Sequence, residues 1–175
     1  MIHKKQVQTS LPADRRGFAL LIAVIFMSVM LTFGLELASV GYKQTIIASS
    51  ALGSQYAFYA ADAALECMLY ADQQQNLFEY TSHDSGNPPG NITCDDTTAT
   101  LINYAYDASP SGRLLMSERV SLDGDTHCAD VMISKPNPIS SVTTYLYSQG
   151  YNVPCSMVAS PNGIRFASRG LSAHY

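Results

Sequence analysis

Apolar positions follow three different rules along the chain. From Phe18 to Leu35 they are continuous, FALLIAVIFMSVMLTFGL, with no charge and only Ser28 and Thr32 as mild polar breaks. At 1.5 Å per residue such a helix crosses most of a bilayer core of roughly 30 Å. From about Tyr42 to Asp72 there is no proline and alanine is frequent, so the helix is expected to continue, reaching about 80 Å from Phe18 to Asp72. Gly34, Gly41 and Gly53 are its weak points. At 100° per residue, Leu52, Tyr56, Tyr59, Ala60, Ala63, Cys67 and Tyr70 form one stripe, and Phe58, Leu65 and Leu69 form a second on nearly the opposite side, bordered by Asp62 and Asp72. A surface helix of a monomer needs one apolar face. Two imply full burial or a partner on each side.

Beyond the loop-like run TSHDSGNPPGN at residues 81–91, turn residues punctuate short β-type segments. The pattern predicts strands at Ala99–Tyr106, Leu114–Leu122, Ala129–Ser134, Val142–Ser148 and Ile164–Tyr175. KPNPI at residues 135–139 suits the connection between the third and fourth, and Pro161, Asn162 and Gly163 suit a turn before the last. In the last segment Ile164 and Phe166 share one phase while Leu171, Ala173 and Tyr175 share the other. That places a bulge near residues 168–170. The expected fold class is α+β, a ladle whose long N-terminal helix spans a membrane in its first half and packs on a small antiparallel sheet in its second.

Charge sharpens this picture. The formal net charge of −4 divides into about +3 over residues 1–17, which hold Lys4, Lys5, Arg15 and Arg16 against Asp14, and about −7 over the rest. Arg15 and Arg16 keep the amino side of the apolar run cytoplasmic, so its carboxyl end faces outward. The run exceeds the 7–15 residues of a secretory signal core and is not soon followed by a small-x-small cleavage site. The acidic remainder carries no cluster of Lys or Arg, which argues against nucleic-acid contact. Cys67, Cys94, Cys128 and Cys155 lack the close pairs of compact metal sites, and behind an export segment they suit disulfides. Four cysteines permit three pairings that spacing does not rank. The shortest routes, helix end to first loop and late strand to late strand, join Cys67 to Cys94 and Cys128 to Cys155.

Two motifs then resemble a known family. The basic leader ending Arg15, Arg16, Gly17 and followed directly by Phe18 resembles the type III leader of prepilins, and QYAFYAADAALE at residues 55–66 is similar to the segment that follows the membrane helix in minor pilins and pilus-assembly proteins. The resemblance implies cleavage between Gly17 and Phe18 by a prepilin peptidase and methylation of Phe18. It implies a leader over 1–17, a membrane and filament-core helix over 18–41, and an extracytoplasmic head over 42–175, with outer helix at 42–72 and sheet from about 92. It also implies a single-pass location in the cytoplasmic membrane, with the assembled filament at the cell surface. The implied partners are other pilin subunits, packed against Phe58, Leu65 and Leu69, and the inner-membrane assembly platform, while the first stripe, Tyr56 and Tyr59 included, is expected to dock on the subunit's own sheet. One position departs from the pattern. Ile22 stands where most major pilins carry a glutamate, fifth after the cleavage point, and its loss is known in the pseudopilin thought to cap the filament tip. A minor, initiating or tip-located subunit is therefore expected. Glu36, about 21 Å further along the helix, suits an interfacial carboxylate and no substitute.

Catalytic chemistry is not expected, nor any cofactor. His83, His127 and His174 are scattered, and no G-x-S-x-G, H-E-x-x-H or phosphate-binding glycine loop occurs. His127 beside Cys128 suits an oxidised cysteine better than a thiol nucleophile. Asp123, Gly124 and Asp125 form an incomplete calcium pattern that suits a solvated turn. The main rival to a filament subunit is a single-pass anchor displaying a binding module, with no filament at all.

Overall fold

The computed structural model describes residues 14–163 and 165–175, with side chains from Gly17 onward. Lys4, Lys5, the side chains of Arg15 and Arg16, and Ile164 lie outside the described residues. Helix α1 runs unbroken over Asp14–Gln73. None of its most apolar stretch is buried, and it is long and apolar enough to cross a membrane. The polar breaks in that stretch are silent. Ser28 Oγ donates to the Ile25 carbonyl at 2.8 Å and Thr32 Oγ1 to the Val29 carbonyl at 2.7 Å, so neither hydroxyl needs water. The chain divides into two compact units, residues 1–47 and 48–175, and the second holds the sheet.

In that second unit, β1 (Thr93–Cys94) and β2 (Thr97–Thr98) form a small hairpin, and β3 (Thr100–Tyr106), β4 (Arg113–Leu122), β5 (His127–Pro136), β6 (Tyr145–Tyr151) and β7 (Ser168–His174) form an antiparallel sheet in sequential order. All five sheet strands fall within or close to their predicted spans. The longest pairing, β4 with β5, keeps register from Arg113↔Pro136 to Leu122↔His127. Its turn places Asp123, Gly124 and Asp125 at φ of 55°, 64° and 68°, conformations that Asp and Gly tolerate best. Strict alternation along β4 turns Leu114, Met116, Glu118, Val120 and Leu122 inward.

The expected bulge near residues 168–170 is not there. β7 pairs with β6 without a shift from Tyr151↔Ser168 to Tyr145↔His174. Phe166 precedes the strand, so its phase never has to match that of Leu171. The sheet's irregularity lies between Leu101 and Asn103 on the edge strand β3, where a bulge blunts the edge. Some short elements were not expected. Two-residue strands and the five-residue helix α2 (Cys155–Ala159) are too short to show a period.

The docking face of α1 differs from both expected stripes. Ala57, Ala60, Ala61, Ala64, Leu65, Met68 and Ala71 are buried, at helical spacing, and Ala60, Ala64, Leu65, Met68 and Ala71 share one core with Phe78, Ile92, Leu114, Met116, Ile133 and Leu146. Tyr56 and Tyr59, expected to dock on the sheet, are 52% and 64% exposed. Leu65, expected to face neighbouring subunits, is 8% exposed and belongs to the core; Leu69 is partly buried against it, and Phe58 stays exposed. The cause is Gly150 on β6. A Cβ there would stand 2.2 Å from the Ala57 carbonyl oxygen and 2.3 Å from the Ala61 nitrogen. Helix backbone lies directly on sheet backbone, which admits only small side chains at the closest point and displaces the large aromatics to the flank.

Candidate functional site

Disulfides hold the head's irregular parts. Cys67 near the end of α1 bonds to Cys94 in β1, and Cys128 at the start of β5 bonds to Cys155 at the start of α2. Both link residues 27 apart, the shortest-route pairing. Cys128 therefore carries no thiol, and His127 beside it has another environment. Its ring lies 5.2 Å from that of Tyr56, and its Nδ1 meets Thr126 Oγ1 at 2.8 Å and Asp123 Oδ2 at 3.5 Å. The Asp123 side chain is 79% exposed, as suits a solvated turn. Among the described residues no group of three or more His, Cys, Asp or Glu is placed to hold a metal ion. Asn91 donates its side-chain amide to the Ala99 carbonyl at 2.7 Å.

A groove of about 550 Å³ opens beside α1. Tyr56, Tyr59, Ala63 and Cys67 line it from the helix, and Asp95 and Asp123 line it from the β1–β2 and β4–β5 turns. The two turns are tied together, the Asp123 N–H donating to Asp95 Oδ2 at 2.5 Å. Among the described residues no Lys or Arg lines the groove. Tyr56, Tyr59, Ala60, Ala63 and Cys67 of the stripe read from the sequence as a docking face thus wall an open cleft, opposite Asp95, Asp123 and His127.

Three charged clusters organise the rest. Lys135 on β5 donates to both oxygens of buried Asp72 at 2.7 and 2.6 Å, and the Tyr175 hydroxyl donates to the same carboxylate. A carboxylate in the last turn of a helix opposes the helix dipole, and Lys135 offsets that. Burial, then the bond to Asp72, push the Tyr175 phenol well above its ordinary range. On the other face of the sheet Arg119 grips Asp130 with two bonds of 2.7 and 2.8 Å, joined by the Tyr151 hydroxyl at 3.2 Å. Burial, then Asp130, push Tyr151 up to about 12. The third cluster is Glu118 alone. It is fully buried, its Oε2 accepts only the Ile92 N–H at 3.1 Å, and its Oε1 has no partner. Desolvation pushes this carboxyl up to about 7, the Ile92 bond opposing.

Replacing Lys135 by Met is expected to destabilise the head by about 2 kcal/mol, measured by thermal melting. Tyr175 still donates to Asp72, so the loss should stay below that of a fully unpaired buried charge. A neutral or stabilising effect would show that the pair is not needed to hold α1 to the sheet.

Gly17 and Phe18 lie in α1, with Phe18 exposed. Phe58 and Leu69 flank the buried stripe and Leu65 lies in it, so the structure does not bring the three together on one outward face. Gly150, Asp72 and Glu118 were missed. Gly150 falls two residues past the predicted strand Val142–Ser148 and inside the observed β6, where a glycine marks close backbone approach, so its signal was readable only with the strand's true end. No protein-family model, no curated protein and no solved structure matches the chain.

Proposed function

We propose that this protein is a structural subunit of a type IV pilus-like filament, of the minor-pilin or pseudopilin kind, at an initiating or tip position. One combination of features carries this assignment: the Arg15-Arg16-Gly17-Phe18 junction stands directly before an apolar helix that continues without interruption to Gln73. Cutting after Gly17 would leave that helix in the mature protein with its amino end at the cytoplasmic face and its head outside. The head would be stapled by two disulfides, as suits an oxidising compartment. Ile22, in place of the carboxylate that bulk subunits carry, supports the minor role. Assembly is then the function, and the partners are other pilin subunits, the assembly platform and the prepilin peptidase.

The groove beside α1 favours a second reading, a single-pass anchor that displays a binding module and forms no filament. The two diverge at Gly17. Protein isolated from its own cell is expected to begin at Phe18 and carry one N-methyl group by intact mass spectrometry, and Gly17→Val is expected to leave the leader uncut. An intact leader in the wild type, or normal processing of Gly17→Val, would remove the filament assignment.

A further inference from the structure

The groove is apolar along α1 and acidic along its turns. Tyr56 and Tyr59 are exposed over half their surface, Asp95 and Asp123 stand among the lining residues, and Glu66 is exposed on the same helix face as Tyr59 and Ala63. Two lining carboxylates with Glu66 nearby and the exposed Tyr59 ring, without a lysine or arginine among the lining residues, attract a cation carried on apolar surroundings, while His127, also in the lining, packs on Tyr56 and faces Asp123 at 3.5 Å. At about 550 Å³ the volume lies in the range of occupied clefts.

The chain itself supplies such a group. Lys43 is the single Lys or Arg between residues 17 and 112, is exposed on α1, and stands beside exposed Val40, Tyr42, Ile46 and Ile47. We propose that the groove of one copy takes the Lys43 segment of a second copy. The Lys43 segment and the groove are different surfaces, so the contact is head-to-tail unless a two-fold axis reciprocates it, and a head-to-tail contact that does not close into a ring runs on as an open helical array. The proposal rests on the filament assignment and adds to it that copies of this chain touch one another, as in a short run at the start of a filament.

Carbodiimide coupling joins an amine to a carboxylate in direct contact with loss of water, so it reads this contact without a spacer. Full-length protein in detergent micelles, mixed from isotopically heavy and light preparations, is treated with carbodiimide and mapped by mass spectrometry. The expected products are heavy–light links from Lys43 to Asp95, Asp123 or Glu66. Lys43→Glu is expected to weaken self-association about tenfold by analytical ultracentrifugation, as like charges meet, and Lys43→Arg to retain it. Asp123→Asn, which keeps a residue tolerant of positive φ, is expected to weaken it in the same direction. Absence of Lys43 links between copies, no self-association, or self-association indifferent to both Lys43→Glu and high salt overturns the proposal. Failure here with a mature terminus at Phe18 would leave the filament assignment standing, whereas an uncut leader removes that assignment whatever the cross-links show.

Discussion

Gly150→Ala is expected to cost the head about 4 kcal/mol and to lower its melting temperature by roughly 10 to 20 °C. The added Cβ meets the Ala57 carbonyl oxygen at 2.2 Å, the Ala61 nitrogen at 2.3 Å and the Ala60 carbonyl carbon at 2.9 Å. All three are backbone atoms of a continuous helix, so no rotamer change relieves the clash. The helix must lift by about 1 Å, and the contacts of its alanine stripe with the sheet weaken together, since dispersion falls steeply with a small gap. Ser148→Ala, two residues away on the same inward face of β6, is the matched control. Ser148 is fully buried and its hydroxyl has no partner. Its removal should therefore be neutral or gain about 1 kcal/mol. Circular dichroism melts of the full-length protein in detergent check both. If Gly150→Ala melts with the wild type, α1 does not rest on β6 backbone as described.

Glu118→Gln is expected to change how stability depends on pH. The folded state holds this carboxyl at about 7 against an ordinary 4.5, so between these values the folded state binds more proton than the unfolded. Stability from this group is full below about pH 4.5 and is lost as pH rises towards 7 and beyond. The difference corresponds to about 3 kcal/mol. Gln keeps an oxygen for the Ile92 N–H and does not ionise, so the variant should match the wild type near pH 4 and be the more stable of the two near pH 8. Parallel melts of both proteins across this range check it, because other titrating groups cancel in the difference. Equal slopes would mean that the Glu118 carboxyl reaches water in the folded protein.

Some of this was legible in residue order alone. A run without charge from Phe18 to Leu35 has one stable backbone solution in an apolar medium, the helix, because only there is every backbone group satisfied within the segment. Alternation at Leu114, Met116, Glu118, Val120 and Leu122 defines a strand with one buried face, and that same alternation carried a carboxylate into the core without revealing that only the Ile92 N–H would meet it. Short-range closure made Cys67–Cys94 and Cys128–Cys155 the nearest partners.

The face that α1 presents to the sheet was decided only by tertiary structure. Periodicity ranks positions by the size and greasiness of their side chains, and by that measure Tyr56, Tyr59 and Tyr70 outrank Ala57, Ala61 and Ala64. The packed interface ranks them by fit. Where Gly150 lets two backbones touch, alanine is the largest side chain admitted, so Tyr56 and Tyr59 move to the open wall of a groove, Tyr70 stays exposed, and Leu65 turns from an expected subunit contact into core. The pairing of Asp72 with Lys135 and Tyr175, 63 and 103 residues away, has the same origin. A helix end, a central strand and the last residue meet because the sheet's order brings them together, and no local pattern records that meeting.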